Sequence, residues 1–309
     1  MVTAFLFPGQ GSQYVGMARS LYEAFPEARA LIERADQLLG FALSEVLFGG
    51  PEERLKQTAY TQPAIFVHSM AAWACLAGER PDMVAGHSLG EYSALVAAGA
   101  LDFADGLRLV RLRGELMQRA GEQRPGGMAA IIGLGDELVE AICREAEAEA
   151  GLVRPANFNA PGQVVISGTM AGVRRAMELA RARGAKLVKE LPVSGAFHSP
   201  LMEPAREGLA EALERVPLQT PLCPVYLNVT AEPTRDPEQI RARLLEQLTA
   251  PVRWAQSMAR MAADGAERFV EVGPGTVLQG LVRRALPGVQ VLGLDKAEDL
   301  RAWLHAVRG

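Results

Sequence analysis

Lysine is nearly absent from these 309 residues, with four against 28 arginines. Cysteine is scarcer still, with three residues at positions 75, 143 and 223. They are far apart and fit no CxxC or Cys/His spacing, which argues against a disulfide framework or a zinc site. They read as reduced, buried thiols of a cytoplasmic protein. No run of about 18 uninterrupted apolar residues occurs, so no membrane-spanning helix is expected. The opening MVTAFLFPGQGSQ has no basic n-region and no long apolar stretch, and a signal peptide is not expected either. A net charge of −4 supplies no overall basic field, which argues against nucleic acid as a partner. Internal repeats, low-complexity tracts and long linkers are also missing.

What is present is ample apolar material. At 49% hydrophobic residues the chain buries a real core, in one large domain or two. Residues 3–7 (TAFLF) form an apolar run ending at Pro8-Gly9, as a buried first strand entering a turn does. Residues 62–76 (QPAIFVHSMAAWACL) are apolar nearly all round, the signature of a buried helix. A short strand over 82–85 leads to Gly86-His87-Ser88-Leu89-Gly90, and helices follow over 91–98 and 103–119.

The texture changes near residues 123–127 (QRPGG). From there the pattern gives strand 128–133, helix 137–150, strands 152–159 and 162–168, helix 170–183 and strand 185–193. This β-α-β-β-α-β order is the ferredoxin-like arrangement. It predicts a small subdomain over 125–195 inserted in a larger α/β one made of 1–124 and 196–309. In the larger part, helix 203–215, strand 224–228, helix 238–248, strand 268–272 and helix 277–285 alternate. A mostly parallel sheet with helices on both faces is the expected architecture, with ligands beyond the carboxyl ends of its strands.

The strongest local motif is G-x-S-x-G at 86–90. A serine on a sharp strand-to-helix turn has its hydroxyl pushed clear of the sheet, in a backbone that only small neighbours allow. The N–H of Leu89 and the start of the next helix then face a developing oxyanion. A plain turn serine is the alternative. A serine nucleophile needs a base. His68 lies in the apolar helix as a core residue, His305 in the last helix as a solvated one, and His87 diverges from its neighbour Ser88. His198 remains, in a small-residue loop closed by Pro200, where an ordinary loop histidine is the competing explanation. Asp102, Asp105, Glu203 and Asp236 are all possible orienters of its imidazole, and so is a backbone carbonyl.

PGQGSQ at 8–13, TQPA at 61–64, GHSLGEYSAL at 86–95 and GAFHSPLM at 195–202 together resemble the bacterial malonyl-CoA:acyl-carrier-protein transacylase family. The acyltransferase domains of polyketide and fatty-acid synthases share the pattern. NFNAPGQVVISG at 157–168, PVRW at 251–254 and EVGPG at 271–275 continue the resemblance in the family's order. It implies an α/β-hydrolase-like large subdomain with a ferredoxin-like insertion. It implies Ser88 as acylated nucleophile, His198 as general base, and the backbone carbonyl of Gln247 as the group orienting that base. The N–H groups of Gln10 and Leu89 would form the oxyanion hole. Arg113 would grip the free malonyl carboxylate, with Gln62 and Asn159 as polar pocket residues. Phe197, before the histidine, would disfavour an α-methyl branch. Arg113 as a solvated helix arginine, and Gln10, Gln62 and Asn159 as turn or cap residues, are the plainer alternatives.

The resemblance further implies malonyl-CoA and acyl carrier protein as partners, no metal or redox cofactor, and a monomeric cytoplasmic enzyme of fatty-acid elongation. Three competing functions remain open: a discrete polyketide-type acyltransferase, a serine esterase or thioesterase, and a non-catalytic docking subunit that keeps the fold.

Overall fold

The computed structural model describes residues 1–76 and 78–308, and the elements below are those of that range. The first strand, β1 (Thr3–Phe7), alternates its side chains between two cores. Phe5 and Phe7 point into one and Ala4 and Leu6 into the other, so the strand is buried on both faces and can carry no polar stripe. Five helices follow: α1 (Arg19–Ala24), α2 (Pro26–Leu39), α3 (Leu43–Gly49), α4 (Glu52–Leu55) and α5 (Thr58–Ala74). The helix expected from residue 62 thus begins four residues earlier. Pro63 lies inside it. A proline has no N–H to give the carbonyl four residues back, and that carbonyl, Ala59 O, accepts instead from Arg111 Nη1 at 2.9 Å.

The chain then runs through β2 (Met83–Gly86), α6 (Gly90–Ala97) and α7 (Phe103–Gln123). Asp102, one of the possible histidine orienters, is the N-cap of α7 and accepts from Ala104 N at 2.8 Å. Next come β3 (Gly127–Ile132), α8 (Asp136–Ala150), β4 (Val153–Ala160), β5 (Gln163–Gly168), α9 (Met170–Ala182) and β6 (Leu187–Glu190). Their four strands form an antiparallel sheet in the order β4-β5-β3-β6. One face of that sheet packs on α8 and α9 around Ile131, Phe158, Ile166, Ile142 and Val173. The strand expected over 185–193 is only β6, because Pro192 cannot continue a ladder and Leu191 and Val193 turn inward instead.

The last third holds α10 (Glu203–Arg215), β7 (Val225–Tyr226), β8 (Pro233–Thr234), α11 (Pro237–Glu246), α12 (Trp254–Ala263), β9 (Arg268–Val272), α13 (Val277–Ala285), β10 (Gln290–Leu294) and α14 (Ala297–Arg308). The large sheet has the order β10-β9-β1-β2-β7-β8, parallel except for the β7–β8 pair. The strand expected over 224–228 shrinks to β7, because Asn228 leaves the ladder to bind the turn after β2. A parallel bridge, Asn157–Val252, stitches the small sheet to the segment before α12. Phe158 N donates to Val252 O at 2.9 Å and Val252 N to Ala156 O at 2.8 Å. Helices at 19–55 and 254–263, and β10, are elements that sequence patterning did not resolve. All three cysteines are buried and unpaired.

Candidate active site

The carboxyl ends of β1 and β2 adjoin at the site. Phe7 pairs with Gly86, and His87 N donates to Phe7 O at 2.9 Å. Two glycines make this approach possible. A methyl group on Gly86 would overlap the Gly90 carbonyl, and one on Gly90 would overlap Phe7 O. Between them Ser88 sits at φ +52°, in the left-handed region. His198 also has a positive φ, +56°. Such backbones cost of order 1–3 kcal/mol each and persist only where neighbours fix them.

The fixing groups are visible. Asn228 Oδ1 accepts from Ser88 N at 2.7 Å, while Asn228 Nδ2 donates to Gly86 O at 2.7 Å. The elbow is thus clamped on both sides of its turn. Ser88 Oγ lies 2.8 Å from His198 Nε2, and His198 Nδ1 lies 2.8 Å from the backbone carbonyl of Gln247. A carbonyl only accepts, so Nδ1 carries the proton and Nε2 is left free to accept from Ser88. Burial, with the Arg113 charge next in weight, pushes His198 down to about 3. The imidazole is therefore neutral at physiological pH and ready to take a proton.

The four acids considered as orienters lie elsewhere. Besides Asp102, Asp236 caps α11, Asp105 pairs with Arg108, and Glu203 pairs with Arg206. His68 is buried against Asp295, with Nε2 3.1 Å from a carboxylate oxygen, and His305 is exposed. His87 is bonded not to Ser88 but to Asn159, with Nε2 2.8 Å from Asn159 Oδ1.

Arg113 projects from α7 into the same centre and is only 1% exposed. Its Nη1 donates to Gln62 Oε1 at 2.8 Å. Its Nη2 donates to Gln247 Oε1 at 2.7 Å and to Ser88 Oγ at 3.1 Å. The guanidinium lies over the Tyr92 ring at 5.8 Å, and its Nε has no hydrogen-bond partner among the described residues. No carboxylate forms an ion pair with it among the described residues. The other arginines of α7 differ, since Arg108 and Arg111 hold acids on the helix surface and Arg119 is exposed.

A cavity of about 180 Å³ opens over Ser88 and His198. Gln10, Gln62, Leu89, Asn159 and Phe197 all line it, so the structure brings together the residues singled out in the sequence. Arg113 and Gln247 stand directly behind its floor through their bonds to Ser88. The N–H groups of Gln10 and Leu89 make no hydrogen bond among the described residues. Met117, Met128, Val165, Leu191 and Val193 add apolar wall. Two residues of the centre went unmarked in the sequence, Asn228 and Glu91. Glu91 is the one charge in the apolar helix EYSALVAA, which is the signal that points to it.

An α/β fold that presents a strained serine and a neutral histidine beyond the ends of a parallel sheet has the build of a serine-nucleophile acyltransferase or hydrolase. A family model described as acyl transferase domain matches residues 4–299. The malonyl CoA-acyl carrier protein transacylase of Bacillus subtilis (strain 168) is 44% identical over 307 residues, covering 99% of this chain and 97% of the relative. Its namesake from Escherichia coli K12 is 44% identical over 305 residues, at 98% coverage of both. The acyl carrier protein S-malonyltransferase of Vibrio cholerae O1 superposes with a TM-score of 0.94 at 42% identity, over 98% of this chain and 100% of the other. A type II PKS acyl-carrier protein in complex with its malonyl-transacylase gives 0.95 at 41% identity, over 99% and 100%. The chain belongs to the acyl transferase domain family, in the branch whose members are malonyl CoA-acyl carrier protein transacylases.

Proposed function

We propose that the protein transfers a malonyl group from malonyl-CoA to the phosphopantetheine thiol of acyl carrier protein, through a malonyl ester on Ser88. One observation carries this choice. Arg113 is a buried cation bonded only to neutral acceptors, 3.1 Å from the hydroxyl that would attack. A buried charge with no carboxylate in direct contact is costly, and a substrate carboxylate is the partner that would complete it through two parallel hydrogen bonds.

His198 Nε2 takes the proton from Ser88 Oγ as the oxygen attacks the thioester carbon. Gln10 and Leu89 donate their N–H groups to the tetrahedral oxyanion. The intermediate collapses, the carbon–sulfur bond breaks, and CoA leaves with the proton from His198 as its free thiol. The carrier-protein thiol then gives its proton to His198, attacks the malonyl ester, and Ser88 leaves with that proton. His198, Gln10 and Leu89 serve both halves, and no cofactor is required. Met117, Met128, Val165 and Phe197 give the ester an apolar surround. A monomer working in the cytoplasm fits this role.

The test is intact-protein mass after brief exposure to malonyl-CoA, for the parent and for Ser88→Ala. One malonyl adduct is expected on the parent, none on the variant, and carrier-protein thiol should discharge it. Steady CoA release without an adduct would make the protein a hydrolase. Neither adduct nor release would remove malonyl-CoA as its donor.

A further inference from the structure

One buried carboxyl group at the centre, pushed up to about 8 by its burial, has no part in the chemistry above. Glu91, in the first turn of α6, is 1% exposed. An acid in the first turn of a helix gains from the helix dipole wherever it occurs, yet this one does not spend its oxygens on its own helix. Oε1 accepts from the backbone N–H of Asn228 at 2.6 Å. Oε2 accepts from Gln247 Nε2. Both acceptors thus serve the two residues that hold the nucleophile and the base. Asn228 clamps the elbow at Ser88 N and Gly86 O. Gln247 gives its backbone carbonyl to His198 and its side-chain oxygen to Arg113.

The amide of Gln247 has two possible orientations, and only one is useful. With Nε2 toward Glu91, Oε1 faces the guanidinium. Reversed, an NH₂ group would point at Arg113 and an oxygen at a carboxyl group. Glu91 is the acceptor that selects the first, together with Ser88 O at 3.0 Å and Asn228 Oδ1 at 3.3 Å.

We propose that Glu91 is a positioning residue for malonyl selection: by fixing the Gln247 amide and the Asn228 clamp, it aims Arg113 and holds Ser88 in attacking geometry. It touches no substrate atom and acts only through these two residues. The inference rests on malonyl transfer through Ser88 as proposed above.

The experiment measures the malonyl-to-acetyl ratio of acylation kcat/KM for Glu91→Gln in the parent and in the Arg113→Ala background. A glutamine keeps the shape of the side chain but offers one acceptor where the centre uses two. In the parent background the ratio should fall roughly tenfold, the effect of leaving one buried donor without its acceptor. In the Arg113→Ala background the same change should leave the ratio unmoved, because Glu91 selects only through the guanidinium. Glu91→Asp, which keeps both oxygens on a shorter arm, should fall between. If Glu91→Gln does not fold, the aspartate is compared in the two backgrounds instead.

An equal percentage loss toward both donors in the parent background would overturn the proposal and make Glu91 a purely structural group. A ratio that falls by the same factor in both backgrounds would overturn it too. Absence of any malonyl adduct on the parent protein is the failure of the malonyl-transfer proposal itself and is read before the variants are compared.

Discussion

Arg113→Ala removes the guanidinium that is proposed to grip the malonyl carboxylate. A carboxylate held by two charge-assisted hydrogen bonds gains about 1.5–3 kcal/mol from each. The sum, about 3–6 kcal/mol, corresponds to roughly 10² to 10⁴ in malonyl-CoA kcat/KM at 1.36 kcal/mol per tenfold. The geometry places the outcome at the lower end. In the free protein both Nη atoms are already engaged, with Gln62 Oε1 at 2.8 Å and Gln247 Oε1 at 2.7 Å, so the substrate exchanges bonds rather than adding them. Acetyl-CoA has no carboxylate, and its acylation should lose only what the 3.1 Å contact to Ser88 Oγ contributes. The malonyl-to-acetyl ratio should therefore fall roughly a hundredfold, read by mass spectrometry of the acyl-enzyme under competition between the two donors. Circular dichroism serves as the check on folding, since the change strands two buried amide oxygens. A ratio unchanged within about threefold, in a folded variant, would refute the carboxylate clamp.

Other outcomes follow from the same centre. Burial and Arg113 hold His198 down to about 3, so the acid limb of parent acylation should stay below pH 5 instead of near the ordinary value of about 6.5. With acetyl-CoA as donor, Arg113→Ala should move that limb upward, and an unmoved limb would show that the two side chains are not coupled. A folded-state value below the unfolded one means the unfolded chain binds the extra proton. His198 should thus reduce stability as pH falls from about 6.5 toward 3, as a melting series on His198→Ala and the parent would reveal. Gly90→Ala should abolish acylation, because the added methyl meets the Phe7 carbonyl; retained acylation would mean that the elbow tolerates opening. Phe197→Ala should raise the use of methylmalonyl-CoA about tenfold relative to malonyl-CoA, since space for one methyl is worth about 1–3 kcal/mol. No change in that ratio would show that Phe197 does not border the α-carbon.

Local sequence determined a good deal. The apolar run 3–7, the glycine-flanked Ser88 and the β-α-β-β-α-β pattern of the insertion each follow from short-range rules: period-two burial, room at a turn, and the spacing of turn residues. The resemblance of the motif blocks supplied roles for Arg113, Gln10 and Gln247, which local chemistry left among alternatives. Helices α1, α3 and α4 were not legible because they have only six, seven and four residues, and the 14-residue α2 was not because its inward face is mostly small, Ala28, Ile32 and Ala35. The two-residue β7 was overread, since nothing local says that Asn228 is wanted elsewhere.

Only the tertiary structure decided how the centre is wired. Ser88 and His198 are 110 positions apart, and Arg113 and Gln247 are 134 apart. No local propensity encodes such contacts. Four acids looked equally able to orient the histidine, yet two cap helices, two pair with surface arginines, and a backbone carbonyl holds the imidazole instead. Glu91 drew no notice in the chain because its function lies in what it faces. A carboxylate in a first helical turn is ordinary, and it becomes specific only when the fold removes its water and sets Asn228 and Gln247 on its oxygens.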